Sequence, residues 1–264
     1  AARQWGEAEA ALHLAPALPQ AHFAMGLAHY YGRREYRQAL DEFALVLKGM
    51  PGDARTWMLT GGVHRRLGEW DEALVAFDKG TQLDPRDADL LQDMGAGTFQ
   101  LMRRYAESVR ADDRALVLAP DLHSAAIQKG VTYVLWQGQF DTLRAVLSRL
   151  PREADLGEFG TRAAQQLQLF LWERQPDSLL QVLRTSHAGV FEGQSFFLPG
   201  ALYAGWAHQL RGDRPAALAA FDSARVFLDS VVRERPDDWR VLTARGLALA
   251  GVGRRADALQ EARR

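Results

Sequence analysis

The chain has 264 residues and carries 32 basic and 33 acidic side chains, which give a formal net charge of −1 at neutral pH. Proteins that bind nucleic acids usually present an excess of basic residues, so this balance disfavours a nucleic-acid partner. The sequence has no cysteine, which excludes disulfide bonds and thiolate metal sites.

The compartment stays open, because a chain without cysteine is stable in either redox setting, and a cytoplasmic location is favoured. No apolar run approaches the length that a transmembrane helix needs, so we expect no membrane insertion. The chain begins at Ala1 without a methionine or a visible signal peptide, and it opens within a helical pattern. We therefore expect a fragment of a longer protein, in which residues 1–19 form a partial repeat with one shortened helix over Trp5–Pro16.

Residues 20–122 are predicted to form regular repeats, because a pattern of residue types recurs there at a spacing of 34. Six positions of the first repeat, Gln20–Asp53, return in the second repeat, Ala54–Asp87: Phe23, Leu27, Tyr36, Ala39, Phe43 and Pro51 become Trp57, Gly61, Trp70, Ala73, Phe77 and Pro85. A fixed period of this length is typical of stacked helix pairs. In the second repeat we predict a first helix over Ala54–Leu67, ended by Gly68, and a second helix that begins near Trp70.

The third repeat, Ala88–Leu122, follows the same template with one inserted residue. Its matching positions lie 35 residues after those of the second repeat: Ala96, Phe99, Tyr105, Ala115 and Pro120 follow Gly61, His64, Trp70, Gly80 and Pro85. The small side chain of Gly61 predicts that two helix backbones approach each other closely there. Asp112, Asp113 and Glu234 are interpreted as charges on solvated helix faces.

Residues 123–199 are predicted to form degenerate repeats. The fourth repeat, His123–Ala154, has a short second helix that ends at Pro151, and the following repeat, Gly157–Thr185, matches more weakly. Ser186–Pro199 has the glycines and the proline of a loop but also four large apolar residues: Val190, Phe191, Phe196 and Phe197. Because a solvated loop rarely carries so many apolar side chains, this stretch either packs back over the groove of the array or begins the next helix early.

Residues 200–264 return to a regular pattern that includes one long helix. Seven positions match the second repeat at one constant offset: Ala201, Gly205, His208, Gly212, Ala217, Phe221 and Ala224. Pro236 comes seven residues later than the template places it, so the second helix, from Pro215 to about Arg235, is predicted to be two turns longer than usual. The last repeat stops at Arg264 inside its second helix.

These repeated residues resemble the tetratricopeptide repeat family. The resemblance covers most of the chain, about six to seven repeats, and it is most specific in Gln20–Asp53, Ala54–Asp87 and Gly200–Asp237. It implies an all-α, right-handed superhelical solenoid of antiparallel helix pairs, and we expect residues 1–264 to form a single solenoid of this kind. It also implies a concave face, lined by the first helices, that binds peptides or partner helices. The alanine-rich helices are further similar in style to the repeat region of bacterial multidomain signalling proteins, where such arrays follow kinase, cyclase or sensor-like domains.

The inward positions of the first helices form the predicted ligand groove, and they are filled by Met25, Tyr31, Arg55, Met58, Arg65 and Met94. Methionine can repack around varied ligands, so such a groove suits an apolar or amphipathic segment. Arg55 and Arg65 are the candidates for orienting the polar groups of a ligand. An alternative interpretation is that Met25 and Met94 only pack against the adjacent helix. The Lys and Asn residues with which members of the family clamp a C-terminal carboxylate are absent from these positions, which disfavours that binding mode.

Four arginine pairs recur at or just after the predicted ends of first helices: Arg33-Arg34, Arg65-Arg66, Arg103-Arg104 and Arg254-Arg255. The negative end of the helix dipole favours cations there, and the alternative is a basic ridge that meets an acidic partner. His64 and His208 occupy equivalent repeat positions and are interpreted as packing residues.

The sequence contains no motif that places a nucleophile beside a base, forms a phosphate-binding loop or supplies a set of metal ligands. We therefore expect no enzymatic activity, no cofactor and no metal site. The predicted function is a non-catalytic scaffold that binds a protein or peptide partner in its groove. Two alternatives stay open: a homo-oligomer that self-associates through the Pro215–Arg235 helix or the unfinished last repeat, and an accessory domain of an enzyme whose catalytic part lies outside this chain.

Overall fold

A computed structural model describes residues 2–151, 156, 160–186, 188–193 and 196–263, without the side chains of residues 2–4. Helices make up most of the described chain, so the predicted all-α class is confirmed. With π for a π-helix, the elements are α1 Ala2–Leu14, α2 Pro19–Leu27, π1 Ala28–Arg33, α3 Tyr36–Gly49, α4 Ala54–Leu67, α5 Trp70–Leu83, α6 Ala88–Met94, π2 Gly95–Phe99, α7 Tyr105–Leu118, α8 His123–Gln137, α9 Asp141–Arg149, α10 Arg162–Trp172, α11 Pro176–Thr185, β1 Val190–Glu192, β2 Phe197–Pro199, α12 Gly200–Leu210, α13 Arg214–Glu234, α14 Trp239–Gly251 and α15 Arg255–Glu261. None of these helices combines the length and the apolar character that crossing a bilayer requires.

The chain divides into two compact units, Ala1–Gly138 and Gln139–Arg264. The N-terminal unit contains α1 to α8, and the C-terminal unit contains α9 to α15 with the two strands. Each unit buries its own clusters of apolar side chains. A single continuous solenoid over residues 1–264 therefore stays a prediction.

Within the N-terminal unit, consecutive helices pack as pairs: α2 against α3, α4 against α5, and α6 against α7. The first helices of successive repeats also begin in the same way, 34 residues apart. Asp53 and Asp87 each cap a first helix, since their carboxylates accept hydrogen bonds from the backbone N–H three residues later, at 3.0 Å and 2.9 Å. Gly68 ends α4 in the left-handed conformation, with φ 76°, as predicted.

The helices of a pair come closest where a glycine of the first helix meets a phenylalanine of the second. A Cβ added at Gly61 would lie 2.8 Å from the ring of Phe77, and one added at Gly205 would lie 2.5 Å from the ring of Phe221. Side chains in folded proteins do not tolerate such distances, so both positions need glycine. The predicted close approach at Gly61 is confirmed, and burial of each ring contributes about 1.5–3 kcal/mol.

Two π-helices correct the predicted register of the first and third repeats. Gly26, and not Leu27, faces the ring of Phe43. Likewise Gly95, and not Ala96, faces the second helix of the third repeat. The physical reason is that π1 and π2 each accommodate one extra residue, so the insertion follows the glycine within the first helix.

After each π-helix the chain turns through an arginine in the left-handed region. Arg34 has φ 57° and Arg103 has φ 58°, and both stand at the position that Gly68 occupies in the second repeat. A side chain with a Cβ is disfavoured there, at a cost of about 1–3 kcal/mol. The first and third repeats therefore carry strained turns that the second repeat avoids.

The third repeat replaces the phenylalanine of the helix pair by an aspartate. Asp112 lies 35 residues after Phe77 and is fully buried against Gly95, so the prediction of a solvated charge is wrong for this residue. Asp113 and Glu234 are exposed, as predicted. The prediction failed at Asp112 because the repeat register places this position in the core, although the residue is polar.

In the C-terminal unit, three helix pairs carry the repeat pattern: α10 with α11, α12 with α13, and α14 with α15. The helix α13 runs for 21 residues, which confirms the predicted long helix. Its buried face contributes Phe221 and Leu228 to a core shared with Val241 of α14. The repeat boundaries predicted at Ala154 and Gly157 lie outside the described residues.

The strands β1 and β2 form an antiparallel hairpin within the stretch Ser186–Pro199, with Phe191 opposite Leu198. Phe191 is only 2% exposed and Phe197 only 5%, because the hairpin packs on α10, α12 and α14, the first helices of this unit. The stretch thus packs onto the first helices, which is one of the two predicted alternatives. An early start of the next helix is wrong, since α12 begins at Gly200.

A charged contact fastens the tip of the hairpin to the last repeat. The guanidinium of Arg240, in the first turn of α14, donates to the carbonyl of Gly193 at 2.9 Å and lies 3.0 Å from the carboxylate of Glu192. The same guanidinium pairs with Asp238 at 2.7 Å. The pKa of Arg240 is raised, first by the hydrogen bond to Asp238, so the guanidinium stays protonated.

Candidate functional site

The candidate site is the surface formed by the first helices of the first three repeats: α2 with π1, α4, and α6 with π2. Side chains of neighbouring helices touch along it. The guanidinium of Arg55 lies 5.1 Å from the centre of the Phe23 ring, which links α4 to α2, and Arg65 pairs with Asp93, which links α4 to α6. We call this surface the first-helix face and define it by Phe23, Tyr31, Arg55, Met58, Arg65, Arg66 and Asp93.

Arg65 is held by the third repeat. Its Nη1 donates to the carboxylate Oδ1 of Asp93 at 2.7 Å and to the Asp93 carbonyl at 3.2 Å. Gly97 leaves the space for the guanidinium, because a Cβ there would collide with Nη1. The sequence predicts that Arg65 orients a ligand, but its side chain is 10% exposed and its charge is compensated by Asp93. Arg65 therefore ties two first helices together.

Tyr31 presents an exposed aromatic ring on the face, with 61% of the residue accessible. Its ring centre lies 4.3 Å from that of the buried Tyr30, which supports it from below. The pKa of the Tyr31 hydroxyl is raised, first by partial desolvation and then by Tyr30 and Asp93. Arg65 and Arg66 lie close enough to oppose this shift. Tyr31 is thus a neutral hydrogen-bonding group flanked by arginines.

An apolar pocket of about 170 Å³ opens beside Arg55. Its lining residues are Pro19, Gln20, Phe23, Val46, Met50, Asp53 and Arg55. Arg55 is exposed, and no ion pair involving it occurs in the part of the chain that the structure describes. The pocket therefore combines an apolar floor with a cation at its rim whose charge is not compensated by a salt bridge.

The three predicted methionines lie deeper than the rest of the face. Met25 is 6% exposed and packs in a cluster with α1, which includes Ala8. Met94 packs beside Phe77, and Met58 is half-buried between two core clusters. The packing interpretation therefore describes Met25 and Met94. Met25 packs in the core and not in the groove because the extra residue in π1 shifts α2 by one position relative to α4.

Three members of the face, Phe23, Arg66 and Asp93, are absent from the predicted groove, and of these Arg66 bears most on binding. It is exposed, it lies near Tyr31, and it makes no ion pair with any described residue. The sequence signal for Arg66 is the Arg65-Arg66 pair, but the helix dipole explains both of these charges without a ligand. Arg33-Arg34 and Arg65-Arg66 lie at the ends of first helices, whereas Arg103-Arg104 and Arg254-Arg255 lie at the starts of the second helices. The alternative of a basic ridge stays a prediction.

The histidines at the ends of first helices face acids at the start of the second helices. His64 Nδ1 lies 2.7 Å from Glu69, and His208 Nδ1 lies 3.8 Å from Asp213. The pKa of Glu69 is lowered, first by its hydrogen bond to His64 and then by the one to Arg37. These half-buried histidines stabilise the turn within a repeat, in line with their interpretation as packing residues.

Within the described residues, no group of three or more His, Asp or Glu side chains could hold a metal ion. The polar groups of the first-helix face are instead an exposed hydroxyl, one compensated ion pair and two arginines without a salt bridge. What this arrangement can do is bind a complementary surface by apolar contact and by attraction of anions.

No protein-family model matches the chain, and no curated protein matches it. Solved structures do resemble it. The structure described as "Functional Characterization of Pseudomonas Aeruginosa pilF" has a TM-score of 0.57 and 18% identity, covering 84% of this chain and 94% of that chain. PilW, a type IV pilus biogenesis factor, has a TM-score of 0.47 and 19% identity over 92% of this chain and 90% of that one. MamA has a TM-score of 0.46 and 15% identity over 53% of this chain and 80% of that one.

At these identities a likeness bears on the fold alone, and of these three only the PilF structure exceeds a TM-score of 0.5. It agrees with what the chain itself displays: a 34-residue period, paired helices, and a glycine of the first helix against a phenylalanine of the second. The chain has the tetratricopeptide-repeat fold.

Proposed function

We propose that the protein is a non-catalytic interaction scaffold whose first-helix face binds an amphipathic peptide or helix of a protein partner. The observation that carries the proposal is the exposed ring of Tyr31 on this face, near Arg66 of α4, the helix that also carries Arg55. An aromatic ring beside uncompensated cations is typical of the residues that dominate protein interfaces.

The chemistry of the face favours a partner segment that carries both acidic and apolar residues. Arg55 and Arg66 lack salt bridges in the described chain, so a carboxylate of the partner would gain a charge-assisted hydrogen bond at either one. The pocket floored by Phe23 can take one apolar side chain, and burial of a leucine or phenylalanine there would contribute about 1.5–3 kcal/mol. Asp93 does not oppose this preference, because Arg65 compensates its charge.

The spacing of the two cations limits the length of the segment. Arg55 and Arg66 lie near opposite ends of α4, and eleven residues of helix rise by about 16 Å. A partner helix of about three turns spans that length, as does an extended peptide of about five residues. Acidic residues about 16 Å apart with an apolar residue near the first of them would match the face.

The receptor side of this interaction is preorganised. The pair between Arg65 and Asp93 fixes α4 against α6, and Tyr30 supports the Tyr31 ring. A face that is already ordered loses little conformational entropy when a ligand binds.

The proposal is tested by selecting binders from a random peptide library displayed on phage, with the full chain as bait. Fluorescence polarisation then measures the dissociation constants of the selected peptides. We expect acidic, apolar peptides whose affinity for Tyr31→Glu and Arg66→Glu is at least tenfold weaker than for the wild type. Val75→Glu, at an exposed position on the second helix α5, is the matched control and should bind normally. Equal affinity for wild type and both face variants would contradict the proposal.

Self-association is a second candidate, favoured by adjacent apolar residues on the long helix. Val226 and Phe227 of α13 are 55% and 41% exposed. Light scattering of the full chain should report a dimer if this surface pairs with a second copy, and Phe227→Glu should then restore the monomer. A monomeric wild type across the micromolar range would contradict it. The context of an enzyme accessory domain or a bacterial multidomain signalling protein stays a prediction.

A further inference from the structure

The interface between the third and fourth repeats is polar where the interface between the first and second is apolar. Equivalent positions of the two interfaces lie 69 residues apart in the sequence. Gly26 and Gly95, which each face the second helix of their repeat, are one such pair. The shift takes the buried cluster Ala39, Phe43, Leu59 and Val63 onto Ser108, Asp112, Gln128 and Thr132. All four polar residues are buried, with at most 4% exposure. The four positions stay buried, but their side chains change from apolar to polar.

Two of these residues satisfy their polar atoms. Ser108 Oγ donates to the carbonyl of Gly95 at 3.0 Å and lies 3.2 Å from Thr132 Oγ1. Both carboxyl oxygens of Asp112 and the Nε2 of Gln128 have no hydrogen-bond partner in the described chain. A buried polar group without a partner is costly, and a buried charge without one is more so.

The surroundings of Asp112 disfavour its ionised form. A Cβ added at Gly95 would lie only 2.6 Å from Oδ1, so the carboxyl presses on the backbone of π2 and has no room for a hydration shell on that side. The charged groups that act on it are Asp113, its neighbour in α7, and Lys129 of α8. Lys129 binds Asp113, at 2.5 Å, and not Asp112. Burial first, and then Asp113, raise the pKa of Asp112 to about 8.

We propose that this interface is a proton-operated latch: the third and fourth repeats close on each other while Asp112 carries its proton, and they part more readily as the pH rises. This device belongs to the stacking of α7 on α8 and needs no ligand at the first-helix face. The pH of the surroundings would thereby control how tightly α7 packs on α8, and so how rigid the array is at the interface of the third and fourth repeats.

The sign and the pH window follow from proton linkage. When the interface parts, water reaches Asp112 and its carboxyl titrates near the ordinary value of 3.8, whereas the closed interface retains the proton up to about pH 8. Closing therefore takes up a proton between these limits. The equilibrium constant for opening of the interface is smallest below about pH 4. It rises about tenfold for each pH unit above that and becomes constant above about pH 8.

Hydrogen–deuterium exchange of the full chain at pH 5 and pH 7 tests the latch, with rates corrected for the intrinsic pH dependence of amide exchange. We expect the opening of α7 and α8 to increase about a hundredfold between the two values, as two pH units require. The apolar interface of α3 with α4 is the internal reference and should change little. Exchange in α7 and α8 that is independent of pH, or that rises equally in α4, would overturn the proposal.

Two substitutions separate the charge from the packing. Asp112→Asn keeps the shape without a titrating group, and Asp112→Phe restores the residue that the first two repeats carry. Both should exchange in α7 and α8 without the pH dependence of the wild type, and a dependence that persists in Asp112→Asn would refute the latch. Should both variants fail to fold, the carboxyl ¹³C resonance of Asp112 in the wild type decides: a midpoint above about 5.5 supports the latch and one at or below that value overturns it.

Discussion

At the scale of single residues, glycine and phenylalanine set the distance between the two helices of a repeat. The missing side chain of Gly61 lets the ring of Phe77 lie against the backbone of α4, and Gly205 does the same for Phe221. Because the ring is fully enclosed, it cannot move aside to admit a larger side chain at the glycine. Packing at this point is therefore sensitive to the addition of a few atoms.

Gly61→Leu is expected to destabilise the N-terminal unit by about 3 kcal/mol or more, because overpacking of an enclosed site forces side chains or backbone to shift. Urea unfolding followed by circular dichroism measures the loss. The matched control is Gly6→Leu, since Gly6 lies in α1 with open space around it. That control should be neutral or slightly stabilising, because leucine has the higher helix propensity. Equal stability of Gly61→Leu and wild type would show that the packing assignment is wrong.

Residue type and period together predicted the positions in the second repeat, which contains no π-helix. Gly61 and Phe77 of this repeat meet as the 34-residue pattern predicts. For Met25 the sequence left a groove position and a packing position open, because the extra residue in π1 that shifts α2 has no local sequence signal. Asp112 was misjudged because hydrophilicity and repeat position gave opposite indications, and position determined its burial.

At the scale of elements, the turns between the helices of a repeat differ in strain. Arg34→Gly and Arg103→Gly are expected to stabilise the unit, because glycine adopts the left-handed conformation without the penalty of about 1 kcal/mol or more that a Cβ brings. The reciprocal change, Gly68→Arg, should destabilise it by a similar amount. Differences in the urea midpoint measure all three. A loss of stability in both arginine variants would contradict the assignment of strain to these turns.

The hairpin is expected to act as part of the core of the C-terminal unit. Phe191→Ala should cost about 3–5 kcal/mol, the usual loss for a buried phenylalanine, since Phe191 joins a cluster with Tyr203 and Leu179. Phe227→Ala, at a partly exposed position on α13, is the control and should cost less than about 1 kcal/mol. Urea unfolding of the full chain compares them, and similar losses in the two variants would argue against a packed hairpin.

The element boundaries show how far sequence reasoning reaches. The helix α4 was predicted at its observed ends, because the glycine that ends it, Gly68, is a local signal. The hairpin was not predicted, since its strands are three residues long and their burial depends on α10, α12 and α14. Apolar residues in Ser186–Pro199 indicated burial, but no local signal indicated a strand.

At the scale of the whole molecule, the near-zero net charge conceals a local excess of positive charge on the first-helix face. We expect the affinity of an acidic peptide for this face to fall as salt is raised from about 50 to about 500 mM, because exposed charges are screened. The wild type should lose affinity with salt more steeply than a variant in which Arg55 and Arg66 are both glutamine. Fluorescence polarisation across the salt series measures this, and parallel dependences would contradict a role for the two arginines.

Whether the first-helix face is the binding surface is decided by comparing backbone amide chemical shifts of the full chain with and without a selected peptide. We expect the perturbed amides to cluster on α2, π1 and α4 around Tyr31, Arg55 and Arg66. Perturbations confined to α13, to the hairpin or to the second helices would contradict binding at this face.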